Sequence, residues 1–137
     1  MENIQKKYAN LFNHSCYCFC LCYVFSSTKD EWKWLQYIAE GVQLGYIDTD
    51  CFVEKPLQFI ELISGKKFRD IQKPTLKDWS NLPNGLQIVE LQQPNGKDSH
   101  FVVCHINNKG EVILDFDPSF PSKSWELGKT ISYRKYI

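Results

Sequence analysis

The chain has 137 residues, and its content of 43% hydrophobic and 15% aromatic residues is typical of a folded domain with one core. Sixteen basic and sixteen acidic residues give a formal net charge of zero, without the basic stripe that nucleic-acid binding needs. No apolar run approaches the roughly 20 residues of a membrane span. We therefore expect one domain over 1–137, monomeric, without nucleic-acid partners or a membrane span.

The six cysteines indicate a compartment. Four of them lie at alternate positions within 16–22, too crowded for the disulfide framework of a small secreted domain. Free buried thiols in a reducing cytoplasm are the simplest interpretation. Lys6 and Lys7 before the apolar run 16–25 resemble a short signal peptide, but Asn10 and Asn13 intervene and no small-residue cleavage site follows. A cytoplasmic protein is the preferred prediction.

The first element is predicted at Cys16–Phe25, which contains no charged residue. Ser15 can cap a helix that begins at Cys16, because its hydroxyl can accept from a free N–H in the first turn. A run that is apolar all round fits a helix buried on every side. A buried strand is the alternative, but only Val24 is β-branched, which favours the helix.

Two further helices are predicted. The residues Thr28 to Glu31 form a capping box and open a helix to about Leu44, ended by Gly45. Its expected buried face carries Trp32, Leu35, Ile38, Ala39 and Val42. Because Trp32 and Trp34 are two apart, we expect one to pack and the other to mark a site or partner surface.

The third helix is predicted over Leu57–Ser64, with Pro56 in its first turn and Gly65 at its end. The segment Phe68–Ile71 is a candidate short strand, and Thr75–Trp79 a candidate helical turn.

The second half has the pattern of strands. They are predicted over Leu86–Leu91, Phe101–Ile106, Glu111–Phe116 and Ile131–Ile137. Helices followed by an antiparallel sheet make an α+β fold.

The hairpin between the second and third of these strands permits a register prediction. If the loop is Asn107–Gly110, then His100 lies directly opposite Asp117, about 5 Å away. A loop that ends in a bulge at Gly110 shifts the register by one and makes Asp115 the substitute carboxylate.

These positions predict a nucleophile, a base and an orienting carboxylate. A helix N-terminus and an adjacent imidazolium favour the thiolate, and among the four clustered cysteines Cys16 alone is at the helix entrance. His100 would take and return the proton, and Asp117 would fix its tautomer. Asn10 or Asn13 could donate to the oxyanion, together with the backbone N–H of Cys16.

A cysteine opening an apolar helix, the strand segment His100-Phe101-Val102-Val103 and the return to Asp117-Pro118 resemble the papain-like cysteine peptidase superfamily. The chain is most similar to the bacteriocin-processing peptidase domains of export transporters, and then to NlpC/P60-type cell-wall endopeptidases. The whole chain also resembles a family of small plasmid-encoded spirochaete proteins. The resemblance implies a papain-like fold that cleaves a peptide or amide bond with Cys16, His100 and Asp117.

The sequence departs from that pattern in two places. The position six residues before the cysteine, usually a glutamine oxyanion donor, is Asn10, and the cysteine is followed by Tyr17 instead of glycine or tryptophan. The alternative is an inactive papain-like domain that uses its groove for binding. A metal site of the clustered cysteines with His14 is a third reading, but their spacing does not fit zinc, so no metal or cofactor is expected.

Overall fold

The structure of the chain is a computed structural model, which describes residues 16–92, 99–118 and 130–137. Within those ranges the helices are α1 (Cys16–Phe25), α2 (Glu31–Gln43) and α3 (Pro56–Ser64). The strands are β1 (Ile71–Gln72), β2 (Gln87–Gln92), β3 (Ser99–Ile106), β4 (Val112–Phe116), β5 (Thr130–Tyr133) and β6 (Lys135–Tyr136). The predicted α+β class is confirmed.

Helix α1 is the centre of the core, and the prediction of a helix at this position is confirmed. Its residues 18–22 are completely buried, which is what an element without charged residues requires. The predicted cap, Ser15, lies outside the described residues. The other two helices and one face of the sheet pack around α1.

Helix α2 begins later than the capping-box pattern predicts. Asp30 is the N-cap and its carboxylate accepts a hydrogen bond from the backbone N–H of Trp32, whereas Thr28 caps the preceding turn by accepting from the N–H of Asp30. The predicted cap at Thr28 was therefore wrong, because aspartate competes equally well for this role.

The buried face of α2 is also rotated from the predicted one. Trp34 is completely buried and donates its indole N–H to the carbonyl of Thr28, while Trp32 is 63% exposed. The buried residues Trp34, Ile38 and Gly41 follow the spacing of one helix face. Of the two tryptophans, Trp34 is thus the one that packs.

Helix α3 agrees with its sequence signals. Pro56 occupies the first turn, where its missing N–H costs nothing. Gly65 ends the helix at φ +74°, a left-handed conformation that glycine adopts without strain.

The main sheet is antiparallel, in the order β4-β3-β2-β5. One of its faces, through Ile88, Val103 and Phe116, joins the helices in the larger core. On the other face Val89, Val102 and Leu91 pack with the segment between α3 and β2, which contributes Leu76 and Leu82. The sheet is therefore covered on both sides.

Three predicted elements are displaced or divided. The strand expected over Ile131–Ile137 is split at Arg134, so that β5 pairs with β2 while β6 pairs with β1 in a separate two-stranded sheet. β1 starts at the last residue of the predicted strand Phe68–Ile71. The helical turn expected at Thr75–Trp79 lies at Trp79–Asn81 instead, because Asp78 caps it.

Across the described ranges, no helix combines the length and the apolar character needed to cross a bilayer.

Candidate active site

Cys16 is the first residue of α1 and is partly exposed, unlike the cysteines further along the helix. The first N–H groups of any helix lack partners within it and carry the positive end of its dipole. Cys16 is therefore at the end of α1 where the field of the backbone dipoles is positive. The buried residues 18–22 anchor the helix in the core and so hold its entrance in place.

His100 lies at the start of β3 and is almost completely buried, with 4% of its surface exposed. Its Nε2 atom lies 2.6 Å from Oδ1 of Asp117. Its side chain also forms a hydrogen bond with that of Cys16. Because Nε2 is engaged by the carboxylate, Nδ1 is the ring nitrogen left for the thiol. The structure thus brings together the three residues that the sequence placed in one site.

The strand register that brings His100 to Asp117 differs from the predicted one. Ile106 pairs with Val112 instead of Glu111, which is the one-residue shift expected for a loop with Gly110 in a left-handed conformation. The direct opposition of His100 and Asp117 was therefore wrong.

A bulge in β4 restores the contact by another route. Cys104 pairs with Leu114 but Val103 pairs with Phe116, so Asp115 is the extra residue. Asp117 is the residue directly after β4, and after this shift its Oδ1 atom lies within hydrogen-bond distance of His100 Nε2.

Asp115, the expected substitute for Asp117, bonds to a different histidine. Asp115 Oδ2 lies 2.6 Å from Nδ1 of His105. The His105 side chain is 33% exposed. The bulge turns Asp115 and Asp117 towards different histidines, so Asp115 does not replace Asp117 as the partner of His100.

The environment of His100 favours the imidazolium. Burial lowers its pKa, but hydrogen bonds to Asp117 and Cys16, together with the charges of both groups, outweigh burial and raise the pKa to about 9. A histidine with this pKa is protonated at neutral pH. The site therefore pairs a cation with the carboxylate on one side and with the sulfur on the other.

The remaining cysteines of α1 have the properties of core residues. Burial raises the pKa of Cys18, Cys20 and Cys22 well above that of a free thiol. Burial likewise raises the pKa of Cys104 to about 12. By this criterion these four thiols are poor nucleophiles at neutral pH.

Cys51 is the exception among the buried cysteines. A hydrogen bond with the Cys18 side chain lowers its pKa, against the opposing effect of burial. Its backbone has φ +67°, the left-handed conformation that non-glycine residues seldom adopt. The residue is 1% exposed, which confirms the predicted core position. Its burial restricts access by reagents.

The candidate oxyanion donors Asn10 and Asn13 lie outside the described residues, and so does His14. Among the residues that the structure does describe, no group of three or more histidine, cysteine or acidic side chains is arranged to hold a metal ion.

The sequence interpretation missed a cluster directly beside the site. Tyr17 and Phe101 follow Cys16 and His100 and pack against each other at a ring-centroid distance of 4.7 Å. The guanidinium of Arg134 lies over the Phe101 ring. Arg134, a charged residue inside a predicted strand, was the available signal, since a buried arginine needs a partner.

Comparisons with protein-family models, curated proteins and solved structures give no match to this chain, so its site is interpreted from its own chemistry.

Proposed function

We propose that this chain is a papain-like cysteine peptidase or amidase, with Cys16 as the nucleophile, His100 as the acid and base, and Asp117 as the orienting carboxylate. The observation that carries the proposal is the position of the His100 imidazole, which bonds to Cys16 and also to Asp117. A nucleophile, a base and a group that orients the base are the minimum set for covalent acyl transfer.

In the first half of the proposed reaction, the Cys16 thiolate attacks the carbonyl carbon of the scissile amide. The oxyanion accepts hydrogen bonds from backbone N–H groups at the start of α1, with Asn10 or Asn13 as the proposed side-chain donor. The His100 imidazolium donates its Nδ1 proton to the leaving nitrogen. The C–N bond breaks, the amine departs, and a thioester to Cys16 remains.

In the second half, neutral His100 accepts a proton from water. The hydroxide attacks the thioester carbonyl, and the C–S bond breaks to release the carboxylic acid and the Cys16 thiolate. Asp117 holds Nε2 throughout, so that Nδ1 faces the reacting atoms in both half-reactions.

The alternative function is a binding module that keeps this fold without chemistry. Such a module has no need for a contact between the thiol and a buried histidine, whereas acyl transfer depends on that contact. The geometry therefore favours the enzyme. Six free cysteines are compatible with a reducing compartment, and we propose the cytoplasm.

Thiol labelling tests the activated nucleophile. Iodoacetamide at about pH 6 should modify Cys16 before the other five cysteines, because Cys16 is partly exposed beside the His100 imidazole whereas the other five are buried. Peptide mapping by mass spectrometry gives the order of modification. The His100→Ala variant should be modified at Cys16 more slowly than the native chain. Equal labelling of all six cysteines in the native chain, or unchanged labelling in the variant, would refute the proposal.

Hydrolysis itself is tested with a mixture of proteome-derived peptides incubated with the native chain. New termini identified by mass spectrometry should be absent when Cys16→Ala replaces the native protein. Termini that form equally with both proteins would mean that Cys16 does not carry the reaction.

A further inference from the structure

The residues that follow the proposed nucleophile and base form a contact of their own. Tyr17 comes directly after Cys16 in α1, and Phe101 directly after His100 in β3. Their rings are 4.7 Å apart between centroids, in a tilted arrangement. This contact fixes the entrance of α1 against the start of β3, one residue away from the sulfur and the imidazole.

A buried arginine lies over the ring of Phe101. The guanidinium carbon of Arg134 lies 5.0 Å from the Phe101 ring centroid, within the range of a cation–π interaction. The guanidinium is held by the carboxylate of Glu90, 3.1 Å away, and donates to the hydroxyl of Ser132 at 2.7 Å. Arg134 is 6% exposed. Its position is therefore fixed by strands β2 and β5.

Tyr17 is held from a second direction. Its hydroxyl lies 2.9 Å from that of Tyr136 in β6. Burial raises the pKa of Tyr17 to about 12, and burial also raises the pKa of Tyr136. Both phenols stay protonated across the working pH range of most enzymes, so this hydrogen bond does not titrate with the site.

Stability alone is a weak reason for such a cluster. A buried ion pair costs desolvation, and replacing it with apolar side chains of similar volume is often neutral or stabilising. A polar group whose hydrogen bonds are all satisfied is held in one position, because those bonds tolerate only a narrow range of geometries. Here the Tyr136 hydroxyl contacts Tyr17 and the Arg134 guanidinium contacts Phe101, which are the two rings adjacent to Cys16 and His100.

We propose that Tyr17, Phe101 and Arg134 are positioning residues that hold the Cys16 sulfur and the His100 imidazole at reacting distance. This inference rests on the proposed function for its catalytic meaning. Its physical content is that the contact between the Tyr17 and Phe101 rings sets the relative placement of α1 and β3. The interaction between the Cys16 sulfur and the His100 imidazole weakens steeply as that placement is lost.

The main test replaces Phe101 with leucine and compares it with Phe59→Leu. Phe59 is a completely buried aromatic residue of α3, and Phe101 is partly buried against the same core. The readout is the rate of Cys16 alkylation by iodoacetamide against pH. Phe101→Leu should move the rise in rate by about one pH unit or more towards alkaline pH, which is about a tenfold loss at fixed acidic pH. Phe59→Leu should keep the native profile. Phe101→Tyr, which retains an aromatic ring, should also keep it.

Unfolding by denaturant is measured on the same variants. Equal destabilisation by Phe101→Leu and Phe59→Leu, together with native alkylation profiles for both, would overturn the inference and leave a structural role alone. If Phe101→Leu does not fold, Arg134→Lys serves instead. It keeps the charge but loses the planar fork that binds Glu90 and Ser132, and it should give a shift in the same direction.

A second readout separates this inference from the proposed function. The titration of His100 by NMR reports its surroundings whether or not any peptide is cleaved. A native His100 pKa near 9 that falls in Phe101→Leu but not in Phe59→Leu supports positioning even if no substrate is hydrolysed. An unchanged His100 titration in Phe101→Leu overturns positioning even if the native chain proves to be a peptidase.

Discussion

The Nε2 atom of His100 lies 2.6 Å from Oδ1 of Asp117 although the two residues are not directly opposite each other in the strand register. The bulge at Asp115 shifts the register of the residues beyond it, and Asp117 is the residue directly after β4. The same bulge directs Asp115 to His105, where the Nδ1–Oδ2 distance is also 2.6 Å. Two histidine–aspartate pairs of equal length therefore join β3 to β4 and to the residue after it, and the histidine of one pair bonds to Cys16.

These two pairs provide a matched test of the carboxylate. Asp117→Asn removes the charge that favours the His100 imidazolium, and we expect the alkylation profile of Cys16 to move by about one pH unit or more towards alkaline pH. Asp115→Asn removes an equivalent charge from His105 and should leave the profile unchanged. The measurement is the rate of iodoacetamide modification of Cys16 between pH 5 and 9.

The identity of the orienting group is decided by comparing the two variants. A larger effect from Asp115→Asn than from Asp117→Asn would exclude Asp117 from the role and reinstate Asp115.

His100 also predicts how stability depends on pH. Its pKa in the folded chain, about 9, is higher than the value of about 6.5 expected in the unfolded chain. Between these values the folded state binds more protons, so the contribution is complete below about pH 6.5 and is lost as the pH rises through 9. A shift of this size corresponds to about 3 kcal/mol. Urea unfolding at several pH values measures it.

The control for this prediction is His100→Gln, which keeps a polar side chain without an ionisable group. The difference in unfolding free energy between the native chain and this variant should shrink as the pH rises from about 6.5 to above 9. A difference that stays constant with pH would show that the charge of His100 does not stabilise the fold.

The two tryptophans of α2 give a test of packing. Trp34→Phe removes the hydrogen bond to the carbonyl of Thr28 and leaves space in a completely buried site. We expect it to reduce the free energy of unfolding by about 2 kcal/mol. Trp32→Phe, at a residue 63% exposed, should cost less than about 0.5 kcal/mol. Thermal or urea unfolding of both variants provides the comparison, and equal losses would contradict the observed helix face.

Gly41 tests how closely α2 approaches its neighbours. A Cβ atom at this position would lie 3.0 Å from Ile47 Cδ1 and 3.1 Å from Phe59 Cδ1, and both side chains are buried. Helix propensity alone predicts that Gly41→Ala stabilises the chain by about 0.5–1 kcal/mol. We expect overpacking to dominate and destabilise it by about 1–2 kcal/mol.

Equilibrium unfolding measures this change, with Gln36→Ala on the exposed face of α2 as the control. Gln36→Ala should be close to neutral. Stabilisation by Gly41→Ala would mean that the core yields to the added methyl group.

Local sequence signals were sufficient to predict an element where one residue type determines its start, its end or its burial. Pro56 and Gly65 defined α3, and the uncharged run after Ser15 predicted a buried helix with Cys16 at its entrance. The signals failed where two residues offered the same interaction. Both Thr28 and Asp30 can cap a helix, and the structure uses Asp30.

The sequence by itself determined the chemistry that is available, because residue type alone limits which groups can attack, exchange protons or orient a base. It also determined that α1 must be buried, because no charged side chain interrupts the apolar run. Only the tertiary structure decided which carboxylate meets His100, because a single extra residue in β4 changes the partner of every position beyond it. It also decided that Tyr17, Phe101 and Arg134 meet beside the site, because contacts between distant segments depend on packing that no local pattern encodes.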